Sequence, residues 1–213
     1  MQLYSFWRSQ AAFRVRIALG LKGLQVEMIY VDLFKDAQAQ SAYRSLNPAM
    51  LVPTLVDGQG PSLVQSLAII EYLDEVYPQP RLLPMDPRDR AYVRALAQIV
   101  AVDAHPFLVP RVRHYMQTKL NLNEQNWIPW IRHWLDTGTS VMEEMLTQDR
   151  RTGRFCYGDF PSLADVCLVP HLTSAQMNGC RFDNQSTVQR IFGECMKIPA
   201  FSAAHPNQQL DRP

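Results

Sequence analysis

Four prolines within ten residues, Pro78, Pro80, Pro84 and Pro87, constrain this chain more than any other feature. Each removes a backbone donor and fixes φ, so neither a helix interior nor a central strand accepts them at that density. The segment is read as a domain boundary, and the sequence differs on its two sides. Before it, short β-type runs alternate with helical ones. Gln2 to Phe6 predicts a strand. Ala12 to Lys22 predicts a helix with Phe13, Ile17 and Leu21 at spacing four, Arg14 and Arg16 on other faces, and Gly23 as the stop. Gln25 to Leu33 predicts a second strand, and a polar helical stretch follows to about Leu46. Two short strands flank the turn Asp57-Gly58-Gln59-Gly60-Pro61 as a hairpin. Ser66 then opens a helix whose residues Ile69, Ile70, Leu73, Val76 and Tyr77 share a face. The order β-α-β-α-β-β-α over residues 1–80 is a thioredoxin-like α/β pattern. Beyond the prolines the windows Arg88–Val102, Trp127–Leu146, Ser162–Asn178 and Thr187–Lys197 predict an all-helical domain over 88–213, with 207–213 polar enough to fray.

The composition bears on partners. Lys+Arg 21 against Asp+Glu 20 leaves a net charge of +1, too little to draw the protein onto nucleic acid or anionic lipid. No apolar run approaches the length of a membrane span. The start, MQLYSFWRSQ, places Arg8 after the apolar residues, the reverse of a signal peptide, so the expected location is cytoplasmic. Cys156, Cys167, Cys180 and Cys195 form no CxxC and read as reduced, buried thiols. His105, His114, His133, His171 and His205 are scattered, so no metal is expected. GxSxG, HExxH, GxxxxGK and GxGxxG are absent, which removes the handles of serine hydrolases, zinc proteases, P-loop proteins and dinucleotide enzymes. Trp127, Trp130 and Trp134 read as a core stripe, and Ser162-Leu163-Ala164-Asp165 as a capping box with Phe160 as a staple.

Three places remain where chemistry is possible. Val52-Pro53 sits ahead of a short strand, where proline implies either a cis bond that turns the backbone toward a peptide-like ligand or a trans kink. Gln65-Ser66 stands where a strand hands over to a helix; Ser66 there is either a plain N-cap or, with the first free amides, a site for an α-carboxylate. Ser9, beside Arg8, occupies the corresponding point at the first strand-to-helix turn.

Together, Arg8-Ser9, Arg14-Val15-Arg16-Ile17-Ala18-Leu19, Leu46-Asn47-Pro48, Val52-Pro53-Thr54-Leu55, Gln65-Ser66-Leu67-Ala68-Ile69-Ile70-Glu71-Tyr72-Leu73 and Ser162-Leu163-Ala164-Asp165 resemble the glutathione transferase family. The resemblance is to the zeta class, which includes the maleylacetoacetate and maleylpyruvate isomerases, and it covers nearly the whole chain.

The resemblance implies a homodimer with glutathione as cofactor or co-substrate and a small electrophilic or anionic substrate, reached without nucleic acid or membrane. It implies that the Val52 backbone, ahead of Pro53, pairs with the cysteinyl part of glutathione and that Gln65 and Ser66 hold the γ-glutamyl end. By the same carry-over Ser9 faces the thiol and Asp103 reaches the γ-glutamyl amine across the dimer. His105 resembles a position that holds glutathione, while Arg8 and Arg111 resemble substrate-anion positions. A thiol of pKa about 8.5 is only about 3% thiolate at pH 7; a depression of two units raises this to roughly three quarters. The implied activity is thiolate transfer to an electrophile or cis-trans isomerisation of a maleyl-type diketo acid, with a non-catalytic binding protein as the alternative. Three departures bear on it: Gln10-Ala11 replaces a serine and a cysteine, Met50-Leu51 replaces polar residues, and Met177 stands where the isomerases carry a carboxylate-binding arginine.

Overall fold

The computed structural model describes residues 1–213. It divides into two compact units, Met1–Arg81 together with Lys197–Pro213, and Leu82–Met196. The last residues thus belong with the amino-terminal unit, whereas the sequence assigned them to the helical domain. The reason is local packing: the helix α9, Pro199–Ala204, lies against the first helix, α1, Gln10–Leu21. A Cβ added at Gly20 would meet the Ala200 backbone and Cβ at 3.1 Å, so the two helices approach at a glycine.

The first unit is built on a four-stranded sheet in the order β2-β1-β3-β4, from β1 Gln2–Ser5, β2 Glu27–Tyr30, β3 Thr54–Val56 and β4 Leu63–Val64. β1 runs parallel to β2 and antiparallel to β3, which is antiparallel to β4. The helices are α1, the short α2, Ser41–Leu46, and α3, Ser66–Val76. Leu3, Phe13, Ile17, Leu55, Ile69, Ile70 and Leu73 form the fully buried core. α1 is buried from Ala12 through Leu19 on every side, Arg14 and Arg16 included. The period-four pattern placed those arginines on faces other than that of Phe13, Ile17 and Leu21; α3 and α9 cover those faces as well. A second cluster, Phe6, Trp7, Val31, Tyr43 and Val52, packs separately. Lys22 closes α1: its Nζ, with the side chain fully buried, donates to Asp74 at 2.5 Å and to the carbonyls of Tyr77 and Pro80 at 2.7 and 2.5 Å.

The second unit is helical: α4 Pro87–Gln98, a π-helical turn Ile99–Ala104, α5 Pro110–Lys119, α6 Glu124–Gln148, α7 Leu163–Met177 and α8 Ser186–Met196. α7 is buried from Leu163 to Thr173, with α4, α6 and α8 packed on it. A helix that is apolar on all sides must be central, and this one is. The capping box at Ser162 and Asp165 is formed, but Phe160 is 81% exposed and does not staple it. Trp127 is buried, whereas Trp130 and Trp134 are half-buried against Phe107, with Phe107 and Trp134 stacked at 4.2 Å. The sequence missed α5 and α9, both opened by proline at the first helical position. No helix is long and apolar enough to cross a membrane.

Candidate functional site

Register places three of the sequence candidates on one edge of the sheet. Tyr4 pairs with Thr54, and Thr54 with Val64. Because β3 is antiparallel to its neighbours, the chain leaves β1 and β4 on the edge where it enters β3. Ser9 follows β1, Val52-Pro53 precedes β3 and Gln65-Ser66 follows β4, so all three lie beyond that row. The carboxyl edge of such strands, at the start of the following helices, is where α/β folds gather ligands.

Ser9 is the N-cap of α1, with φ −69° and ψ 118°, and its Oγ accepts the Ala12 N–H at 3.2 Å. The hydroxyl is half-buried, and its own proton is left to donate outward. The turn is closed by Ser9 N–H to the Phe6 carbonyl at 3.1 Å. Arg8 beside it is exposed.

The Val52-Pro53 bond is cis. Tyr43 and Asn47 fix the loop before it. The Tyr43 hydroxyl donates to the Leu51 carbonyl at 2.5 Å and lies 2.8 Å from Thr54 Oγ1; Asn47 Nδ2 donates to the same carbonyl at 2.7 Å and to Thr54 Oγ1 at 3.1 Å. Burial pushes the Tyr43 phenol up, which keeps it a donor. Neither the N–H nor the C=O of Val52 has a hydrogen-bond partner within the chain. Its side chain is buried in the same second cluster as Trp7, so the Val52 loop and the Ser9 turn share one apolar footing. A backbone pair left open on a well-fixed loop is what a peptide ligand needs.

Ser66 differs from its expected role. It is the first residue of α3 rather than its cap; Gln65 takes the cap position with φ 71° and ψ 117° and makes no side-chain cap bond. Ser66 is buried, and its Oγ receives Arg14 Nη1 at 3.3 Å. The first helix amides and a buried guanidinium therefore add positive potential at one point. Met50, at φ 54°, and Gln65 are the two positive-φ residues of this edge that lack the short polar side chains which ease that conformation. Each costs on the order of 1–3 kcal/mol, a level of backbone strain that concentrates at ligand sites.

The remaining candidates lie in the second unit. Asp103 is exposed within the π-helical turn and borders a small cavity of about 80 Å³ with Ile99, Trp134 and Val141. His105, half-buried, opens the single turn that follows, and Arg111, exposed, is the second residue of α5. Met177 ends α7 with 41% of its surface exposed. Arg181 is paired with Asp183 at 3.0 Å. None of the four cysteines is in a disulfide, and burial pushes Cys180 up to about 12, which leaves it a poor nucleophile. No group of three His, Cys, Asp or Glu side chains is placed to hold a metal ion.

Residues 3–81 match the model of the glutathione S-transferase N-terminal domain. The whole chain is 42% identical over 211 residues to a probable maleylacetoacetate isomerase of Vibrio cholerae, covering 98% of this chain and 97% of that protein. The chain belongs to the glutathione transferase family. Among solved structures of zeta-class members, a holo maleylpyruvate isomerase superposes with TM-score 0.97 at 39% identity, each chain fully covered. A maleylacetoacetate isomerase of Methylobacterium extorquens AM1, solved with malonate and glutathione, superposes with TM-score 0.97 at 42% identity, again over both full chains. Within this glutathione transferase, Arg14 and Asn47 entered the sequence reading only as parts of the resemblance motifs, with no role assigned, and Tyr43 did not enter it at all. The available signal for Arg14 was a guanidinium in a helix otherwise apolar on nearly all faces.

Proposed function

We propose that this glutathione transferase is a glutathione-dependent cis-trans isomerase of maleyl-type diketo acids. The observation that carries it is the convergence of Ser9, Val52-Pro53 and Gln65-Ser66 on one sheet edge, with the Val52 backbone open. The residues fit the tripeptide. Val52 offers one donor and one acceptor to its central peptide unit, and the α3 amides with Ser66, backed by Arg14, suit its γ-glutamyl carboxylate. When bound, glutathione supplies a thiolate that adds reversibly to a conjugated cis double bond and so permits rotation about it.

The chain's own residues do the rest. Ser9 donates its hydroxyl proton to the sulfur while its oxygen stays fixed by Ala12 N–H, and the α1 N-terminus favours negative charge at that point. Pro53 and Gln65 shape the cradle. Asp103 and His105 complete the glutathione contacts, Asp103 from the partner subunit of a homodimer, and Arg8 and Arg111 take the substrate carboxylates. The enzyme works in the cytoplasm. Met177, exposed where a carboxylate-binding arginine is implied, favours a second reading in which the electrophile has fewer charges and glutathione is transferred to it.

The test is incubation with glutathione and maleylpyruvate or maleylacetoacetate, following the enol absorbance and the free thiol. Decay of the enol at constant thiol is the expected result. Equal consumption of both supports transfer, and saturable glutathione binding without either supports a non-catalytic binder.

A further inference from the structure

Arg16 and Asp211, both in the first unit, have no part in the chemistry above. Arg16 is buried in the middle of α1. Its Nη1 donates to Ser5 Oγ at 3.0 Å and the Phe6 carbonyl at 3.3 Å, its Nη2 to the Trp7 carbonyl at 3.1 Å, and its Nε to the Ala204 carbonyl at 3.1 Å. The first three acceptors belong to the residues that lead directly into Arg8-Ser9; the fourth belongs to the end of α9. Asp211 Oδ2 accepts the Trp7 N–H at 2.8 Å, and its Oδ1 is buried with no hydrogen-bond partner. Burial lowers Arg16 to about 10, and the neighbouring Asp211 charge opposes that shift.

The last ladder bond on this side of β1 is Val31 N–H to the Ser5 carbonyl at 2.9 Å. Beyond it the sheet holds nothing, yet every backbone polar group of Trp7 is satisfied. Its N–H goes to Asp211 and its C=O to Arg16, while the Phe6 carbonyl serves both Ser9 N–H and Arg16. Trp7 is buried, so without Asp211 its N–H would be an orphan donor. The tail that supplies Asp211 is anchored rather than frayed, contrary to the expectation for 207–213. Phe201, Ala204 and Pro206 are buried, and His205 packs edge-on to Phe13 at 6.0 Å. His205 Nδ1 accepts the Asn207 N–H at 3.1 Å, and Gln209 Nε2 donates to the carbonyls of Ala203 and His205 at 3.0 and 3.1 Å.

We propose that the segment Lys197–Pro213 is a strap for the Ser9 turn, and that Asp211 and Arg16 are positioning residues for Ser9 although neither touches a ligand. The inference rests on the reading of Ser9 given above. Its consequence is that the final residues of the chain set the placement of a hydroxyl at the start of α1.

The test compares Asp211→Ala, Asp211→Asn and a chain ending at Leu210 with the intact protein. Amide exchange is measured without ligand, and the thiol of bound glutathione is titrated by its ultraviolet absorbance. Asp211→Ala is expected to lower protection of the Trp7 amide about tenfold, corresponding to one lost hydrogen bond, while Leu73 and Ile69 amides keep theirs. The bound thiol should lose about threefold to tenfold in thiolate fraction at neutral pH, and that loss should vanish in the Ser9→Ala background. Asp211→Asn, which keeps an acceptor oxygen, should restore most of the Trp7 protection. Unchanged Trp7 exchange, or a thiol effect as large without Ser9 as with it, overturns the strap. An inert Ser9→Ala overturns the reading of Ser9 and the strap together; a responsive Ser9 with an inert Asp211 overturns the strap alone. Global unfolding of both the Ala and the shortened chain also overturns it, because a device for one turn leaves the rest intact.

Discussion

Ser9 and Ser162 are the N-caps of α1 and α7, and they differ in which donors and acceptors their neighbours leave open. At α7 the cap is saturated. Asp165 is fully buried and accepts the Ser162 N–H, the Ser162 hydroxyl and the Cys156 N–H at 2.8, 2.7 and 2.8 Å. Burial pushes its carboxyl up, and those donors pull the other way. At α1 the cap is open: the Ser9 hydroxyl accepts one bond, at 3.2 Å, α1 has no acidic residue in its first turn, and Ser9 is half-exposed. The same residue type at the same place in a helix is therefore closed off when its neighbours pack around it and left with a hydroxyl proton to donate when they do not. An acid at the third position of α1 would have answered the free amides internally.

The contrast can be broken by exchanging the consequences of the two caps. Asp165→Ala leaves three donors facing a buried gap and should lower stability by about 3–4 kcal/mol in urea unfolding, with thiol titration unchanged in the folded fraction. Ser9→Ala should do the reverse, lowering turnover about a hundredfold, equivalent to about 2.7 kcal/mol, while stability falls by no more than about 1 kcal/mol. If Ser9→Ala destabilises as much as it slows turnover, the two caps do not differ in kind. Gln65→Gly sharpens the picture at the third strand-helix junction. Removing the Cβ at φ 71° should raise stability by about 1 kcal/mol and weaken glutathione binding, measured by calorimetry, because the Gln65 side chain is lost.

The smallest effect concerns acid. Arg151 chelates Asp149 through Nε and Nη2 at 3.0 and 2.7 Å and reaches Asp89 at 2.7 Å. The guanidinium holds the Asp149 carboxyl at about 2, below its unfolded value. A depressed acid contributes stability that is complete above its unfolded value near 3.9 and is lost as pH falls toward 2. Because the pair is solvated, Asp149→Asn should flatten the acid limb of the stability profile only slightly. Ser9→Ala should leave that limb unchanged.

The capping box at Ser162 was legible because its signal is local, two residues three apart that bond each other. Val52-Pro53 was legible as an unusual backbone position, and the cis form is the one of its two readings that the structure adopts. Ser66 was misread as a cap because sequence cannot report that Gln65 takes a positive φ. Arg14 and Arg16 were placed on faces other than that of Phe13, Ile17 and Leu21, and their burial was not foreseen because periodicity registers what one face needs and not how many faces are covered. The tail was read as frayed from its polarity, whereas Asp211 accepts the N–H of Trp7, about two hundred residues away, and the residues just before the tail, Ala204 and His205, contact Arg16 and Phe13.

What the sequence by itself determined is most of the elements, though not α5 or α9, and the proline boundary between two kinds of pattern. These follow from short-range rules, side-chain period, turn chemistry and the donors that proline lacks. The tertiary structure alone decided which loops meet. The antiparallel course of β3 brings the chain at Ser9, Val52 and Gln65 to one edge, and α9 returns the last residues to α1. Those outcomes depend on strand direction and on the burial of groups far apart in the chain, and no local window contains either.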